Sequence, residues 1–210
     1  MVTRRDFLKK SSLAGSVIIV GGVPEIFRLS ASTNDFKALK SRLMHYWVYE
    51  TENYTQAKLY LTYQNDDGSW DDINYDDKSI FGEKNWDPWD HLKRLVIMSI
   101  AFNHPTSRYH HSGRMKNGIL KGLDYWFKRN PQCFNNYWQF AMGRNLDMRG
   151  IGVMMGDHLP DPLKNKVLGE LYYSVLDQND DGVYEYYYSS PGDPATGANK
   201  MWLASIHVHA

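Results

Sequence analysis

The chain has 210 residues, with 24 basic and 24 acidic side chains, seven Trp, fifteen Tyr and one cysteine. That length holds one domain, the balanced charge offers no basic stripe for nucleic acid, and a lone thiol, Cys133, leaves no internal disulfide framework. So many amphipathic rings exceed what packing needs, and sugar binding is one outlet for the excess.

The N-terminus reads Thr3-Arg4-Arg5-Asp6-Phe7-Leu8-Lys9-Lys10, followed by an apolar run from Leu13 to Val20 and by Ser30-Ala31-Ser32. Twin arginines ahead of Phe-Leu-Lys match the export signal for folded proteins, a receptor-read address. The run falls short of the roughly 20 residues that span a bilayer. Residues 1–31 are therefore expected to be a twin-arginine signal peptide, with no stable membrane anchor. A basic amphipathic helix or an uncleaved lipid-facing anchor is the competing reading, and Leu29-Ser30-Ala31 and Ser30-Ala31-Ser32 both offer small residues for cleavage. Export places the mature chain in the periplasm or outside the cell. Removing five basic residues (Arg4, Arg5, Lys9, Lys10, Arg28) and two acidic ones (Asp6, Glu25) leaves 19 basic against 22 acidic. A polyanion then has to be met by a local basic cluster and not by the whole-protein field.

Beyond residue 31 the apolar residues recur at helical spacing. Asp35 to Glu52 carries Phe36, Leu39, Leu43, Tyr46 and Trp47 on one stripe, and Thr55 is placed to cap a second helix ending at Tyr63. Gln64 to Trp86 is rich in Asp, Asn and Gly and reads as a long loop. Asp87-Pro88 starts a helix bearing Leu92, Leu95, Val96, Ile100 and Phe102, which ends before Pro105. Ser112 to Lys128 sets Met115, Ile119, Leu123 and Trp126 on one face. Phe140 to Met155 and Pro162 to Leu176, the latter capped by Asp161, complete the set. No segment alternates for long, so the fold class is all-α, of helices packed as hairpins.

Three stretches carry chemistry. Asp67-Gly68-Ser69-Trp70-Asp71-Asp72-Ile73-Asn74-Tyr75 lies in the long loop, where Gly68 supplies a turn and Trp70 is expected to bury. Asn135-Asn136-Tyr137-Trp138-Gln139-Phe140 offers flat rings that stack on sugars or build a core at a helix start. Thr196-Gly197-Ala198-Asn199-Lys200 opens an apolar-periodic segment, and Asn199 is either a helix N-cap or a fixed amide donor to a substrate carboxylate.

In this order the three stretches resemble the N-terminal helical domain of polysaccharide lyase family 8, which includes the hyaluronate and chondroitin AC lyases. The resemblance spans residues 35–210. It implies an incomplete α/α toroid of antiparallel hairpins with a sugar groove across the loops at one end. It further implies that Asn199 neutralises a uronate carboxylate as the catalytic Asn, and that Asn136, Tyr137 and Trp138 bind substrate. Tyr137 stands where the family has Trp, Ala141 where Glu is common, and Asn145 where Pro is common.

The family's base and acid, a His and a Tyr, lie downstream of the Asn segment, and His207 and His209 stand too far along a helix to replace them. The expectation is an N-terminal portion of an exported lyase acting on acidic polysaccharide, inactive alone and partnered by the remainder of the enzyme. The alternative is a non-catalytic carbohydrate-binding remnant on the same scaffold. A glycoside hydrolase needs a spaced carboxylate pair, and Asp71, Asp72, Asp76 and Asp77 read more simply as solvated turn acids. No cofactor is expected. The calcium-loop spacing Asp177-x-Asn179-x-Asp181-Gly182 lacks its closing acid, since Tyr188 stands there, so no metal is expected either. His91 reads as a satisfied structural histidine.

Overall fold

The computed structural model describes residues 33–51, 53–79, 85–134, 138–173, 201–202 and 205–206. The expected signal peptide, Asn136, Tyr137, Asn199, the second Asp/Asn-rich turn at 177–188, His207 and His209 lie outside the described residues. The chain divides into two compact units, residues 1–38 and 39–210. The first is described only at 33–38, where helix α1 (Thr33–His45) begins.

Every described element is helical, which agrees with the all-α expectation. Helix α1 runs into a π-helical stretch, Tyr46–Thr51. A 3₁₀ turn, Tyr54–Gln56, leads into α2 (Ala57–Tyr63). Then come α3 (Trp89–Asn103), α4 (Gly113–Arg129), a π stretch at Trp138–Gly143, α5 (Arg144–Met155) and α6 (Asp161–Tyr173). Helix α3 is the hub of the second unit, packed by α2, α4 and α5, while α6 rests on α5 and α4.

Sequence explains that centrality. Helix α3 buries Leu92, Leu95, Val96, Met98, Ile100, Ala101 and Phe102, so it is apolar around most of its girth, the mark of an interior helix. Its polar interruptions are satisfied at short range. Ser99 Oγ donates to the Leu95 carbonyl at 2.7 Å, and Asn103 Nδ2 donates to the Met154 carbonyl at 3.1 Å, tying α3 to α5. Helix α4 buries the expected stripe Met115, Ile119, Leu123 and Trp126. It starts on Ser112, whose hydroxyl accepts from the Met115 N–H, and stops at Asn130 in the left-handed conformation.

Two local expectations change. The α2 region is capped by Asn53, which accepts from the Thr55 N–H at 2.9 Å, and not by Thr55 itself. The Asp35–Glu52 stripe does not bury as a unit: Phe36, Leu39 and Tyr46 are exposed and Trp47 is buried. At the end of the stripe the π stretch changes the pattern, because its wider turn breaks the 3.6-residue register at Tyr46 and sends Trp47 and Val48 inward together.

The long loop between α2 and α3 is folded tightly. Gly68 has φ +98°, and Trp70 is buried with its indole donating to the Tyr60 carbonyl at 2.9 Å. Asp67 accepts from the hydroxyl and N–H of Ser69, which hold its carboxyl below the usual carboxylate range. Gln64 Nε2 bridges the Gly68 and Gly118 carbonyls at 3.1 and 3.0 Å, latching the loop to α4.

Beneath that loop sits His91, fully buried. The Gly122 carbonyl, 2.9 Å away, can only accept, so Nε2 carries the proton and Nδ1 accepts from the Tyr75 hydroxyl at 2.8 Å. Tyr75 in turn accepts from the Trp70 N–H at 3.1 Å. Burial pushes the His91 imidazole down to about 3 and the Tyr75 phenol up, so both stay neutral. His91 is thus the satisfied structural histidine its sequence context indicated.

Candidate functional site

The start of α3 and the π stretch that leads into α5 each present a tryptophan. Trp138 opens the π stretch leading into α5, a helical form found often at functional sites. Its half-buried ring meets Trp89, the first residue of α3, edge to face at 5.7 Å. On its other side it meets Trp202 at 5.4 Å and 81°. The three indoles make one row, assembled from three segments that are well separated in sequence.

The row is held in place by specific contacts. Trp89 donates its indole N–H to Asp147 Oδ2 at 2.7 Å, and Lys93 lies over its ring at 4.2 Å from the centroid. Gly143, the last residue of the π stretch, lets the Trp89 indole lie against the backbone: a Cβ there would stand 2.8 Å from Trp89 Cζ2. Trp202 is held from below. Ser205 donates its hydroxyl to the Trp202 carbonyl at 2.6 Å and accepts from an Arg149 Nη, while Ile206 is fully buried. Burial lowers the Arg149 guanidinium from its ordinary value, with Tyr46 and Asp147 pulling it back up. The Trp47 ring lies 5.7 Å beneath it.

Beside the row a cleft of about 310 Å³ runs between α2, α3 and α5, lined by Tyr60, Lys93, Arg94, Ile97 and Asp147. Arg94 is ion-paired there: both its Nη groups donate to the Asp72 carboxylate at 2.8 and 2.7 Å, and its guanidinium sits over Tyr60 and Trp70. The Arg94 hydrogen bond holds the Asp72 carboxyl below its usual range.

The loop acids each have a structural partner. Asp71 accepts from Asn65 Nδ2, Asp76 pairs with Arg129, and Asp77 accepts from the N–H groups of Ser79 and Asp87. They act as turn and helix anchors, and this removes the basis for a hydrolytic carboxylate pair in that loop. His110, His111 and His158 gather at ring distances of 4.1 and 5.9 Å. Among the described residues no group of three or more His, Cys, Asp or Glu is placed to hold a metal ion, and no helix is long and apolar enough to cross a membrane.

Of the candidate site residues, Trp138 lies among the described residues. It is brought against Trp202, three residues beyond Asn199 in sequence. Trp202, Asp147, Lys93 and Arg149 carry no sequence motif of their own. Only Trp202 had a usable signal: a spacing of three from Asn199 is about one helical turn, which sets two residues on one side of a helix.

A domain whose described elements are all helical, with three tryptophans packed in series, is the class of protein these features define. The profile of polysaccharide lyase family 8, N-terminal alpha-helical domain, matches residues 30–210, and the chain belongs to that family. The chondroitinase-AC of Pedobacter heparinus is 32% identical over 72 residues, covering 34% of this chain and 10% of the relative. A structure of chondroitinase AC lyase in complexes with oligosaccharide superposes with a TM-score of 0.65 at 21% identity, covering 82% of this chain and 23% of the other. A Paenibacillus xanthan lyase superposes at 0.61 and 18%, covering 84% and 17%. At those identities the structural likeness speaks for the fold alone. The chain spans between a tenth and a quarter of the length of these relatives.

Proposed function

We propose that this domain forms the saccharide-gripping wall of an exported lyase that cleaves a uronate-containing, glycosaminoglycan-like polysaccharide by β-elimination. In this reading residues 1–31 are a twin-arginine signal, and the helices form part of an α/α toroid working in the periplasm or outside the cell. Trp138, with Tyr137 and Asn136, grips the polymer, and Asn199 hydrogen-bonds the uronate carboxylate. Neutralising that carboxylate stabilises the charge that develops as the C5 proton leaves. The electron pair forms the C4–C5 double bond, the C4–O bond breaks, and the departing glycosidic oxygen takes a proton. The proton-transfer His and Tyr are supplied by a part of the enzyme outside these 210 residues.

One observation carries the reading. The Trp138 and Trp202 rings meet at 5.4 Å, so the aromatic stretch and the segment that follows Asn199 converge on one surface. Stacking rings beside an amide donor is the pairing that a uronate polymer needs, because a pyranose presents an apolar face and a carboxylate edge.

The test is affinity electrophoresis of the purified chain through gels containing hyaluronan. Trp138→Ala is expected to weaken retardation about tenfold, the scale of one lost aromatic anchor. Retardation unchanged by Trp138→Ala, or none in the wild type, would sink the proposal. Incubated with the same polymer, the chain alone is expected to give no unsaturated-uronate absorbance, since losing acid–base groups costs about 10²–10⁴ in rate. A rising signal abolished by Asn199→Ala would instead locate the base within these residues.

A further inference from the structure

Arg149 is a partly buried cation beside the tryptophan row, and no carboxylate among the described residues makes a direct ion pair with it, Asp147 acting on it only from a distance. Taking a guanidinium out of water is costly unless an anion compensates. The other partly buried arginines obey that rule: Arg94 pairs with Asp72 at 2.7 Å and Arg144 with Glu170 at 2.9 Å. Among the described residues Arg149 donates to neutral acceptors. Its Nε donates to the Leu146 carbonyl at 3.3 Å and one Nη donates to the Ser205 hydroxyl. The Trp47 ring lies beneath it and gives a modest cation–π attraction. Asp147, two residues back, is taken by the Trp89 indole N–H at 2.7 Å. The second Nη makes no hydrogen bond to a described residue, and the side chain still reaches solvent.

Its position gives the open edge a use. The Ser205 hydroxyl that Arg149 holds donates onward to the Trp202 carbonyl at 2.6 Å, and the Trp202 ring packs on Trp138. A guanidinium presents its N–H groups in a planar fork that matches carboxylate and sulfate oxygens. We propose that Arg149 binds an acidic group of the polymer, a carboxylate or a sulfate ester, at a subsite adjoining the Trp89–Trp138–Trp202 row. This rests on the reading that the domain grips an acidic polysaccharide. With net charge in the mature chain slightly acidic, a cation beside the row without an ion pair among the described residues supplies a local attraction that the whole-protein field does not.

The experiment runs Arg149→Met and Arg149→Lys beside wild type through low-salt gels containing one of three polymers: hyaluronan, hyaluronan with its carboxyls reduced to alcohols, or chondroitin sulfate. Thermal melts confirm that each variant is folded, and Arg149→Lys carries the comparison if Arg149→Met is not. Arg149→Met is expected to weaken hyaluronan binding about tenfold, the scale of a charge-assisted hydrogen bond, and to leave the neutral polymer unaffected. Arg149→Lys recovers part of the loss, because charge returns without the fork. A larger loss on chondroitin sulfate than on hyaluronan names sulfate as the ligand group; an equal loss names the carboxylate. Equal weakening on hyaluronan and on the neutral polymer overturns the proposal, since it means Arg149 only holds Ser205, and so does no weakening at all. Wild-type protein that binds none of the three polymers overturns the polysaccharide reading itself, and this subsite with it.

Discussion

Gly68→Ala is expected to cost about 3–5 kcal/mol, a large share of the roughly 5–15 kcal/mol that holds a domain together. Two effects add. At φ +98° an L side chain is strained by about 1–2 kcal/mol. The new Cβ would also stand 2.3 Å from the Lys121 carbonyl oxygen and 2.8 Å from the Gly122 nitrogen. Those are backbone atoms in the middle of α4, which cannot rotate away as a side-chain tip would, so the loop has to lift. Lifting it loosens Gln64, whose Nε2 donates to both the loop and the α4 carbonyls, and uncovers Trp70. Urea unfolding followed by tryptophan fluorescence measures the loss. Gly113→Ala is the control, because a Cβ there meets nothing within 4 Å and the position opens a helix. A loss below about 1 kcal/mol at Gly68 would mean the loop is not seated on α4 as described.

His91→Leu is expected to cost about 3 kcal/mol at pH 7, with a pH signature that plain packing loss does not have. Leucine fills much of the space but takes a second donor from the Gly122 carbonyl, which keeps its helical partner, and leaves the Tyr75 hydroxyl without its acceptor; an unmatched buried group costs about 1–3 kcal/mol. The sign of the pH dependence follows from the direction of the shift. In the folded protein burial holds the imidazole at about 3, so it stays neutral, while in the unfolded chain it takes up a proton near 6.5. Below 6.5 the unfolded state binds more protons, so the His91 contribution is full above that pH and drains away as pH falls towards 3. Between pH 7 and pH 5 wild type should lose about 2 kcal/mol through this residue, and His91→Leu should lose none of that part. The gap between the two proteins therefore narrows on acidification. The carboxyls of Asp67 and Asp72, both held low by their hydrogen bonds, titrate below this window in both proteins and do not blur it. Urea midpoints at the two pH values check the result, and a gap of constant size would show that His91 is not held neutral.

The two effects also bear on the site. The loop that Gly68 and His91 secure ends at Trp86 and Asp87, immediately before Trp89 begins α3. Trp86 donates its indole N–H to the Asp77 carbonyl at 2.8 Å and its backbone N–H to Gln139 Oε1 at 2.6 Å, next to Trp138. The geometry of the Trp89–Trp138 pair is therefore anchored through the same loop whose turns the sequence makes visible. Stability variants in the loop should weaken polymer binding only to the extent that they unfold the domain, whereas Trp138→Ala should weaken it in a protein that melts normally.

Much of this was readable from the chain alone because it is set by spacing within one segment. The α4 stripe recurs every three to four residues, and its Ser112 start follows from capping chemistry. The Gly68 turn, the burial of Trp70 and the structural part played by His91 follow from residue type and immediate neighbours. The family assignment rests on three stretches in order. What the tertiary structure decided lies between segments. The burial of Trp47 and Val48 beside an exposed Tyr46 depended on a π stretch that local spacing does not announce, and the cap moved to Asn53 because a 3₁₀ turn precedes α2. The tryptophan row joins residues 89, 138 and 202, and the Arg149–Ser205 contact spans 56 positions; neither has any periodic or local trace. Periodicity tells a helix which face to bury, but partners across the domain are chosen by how several such faces fit together, and that sum exists only in the folded chain.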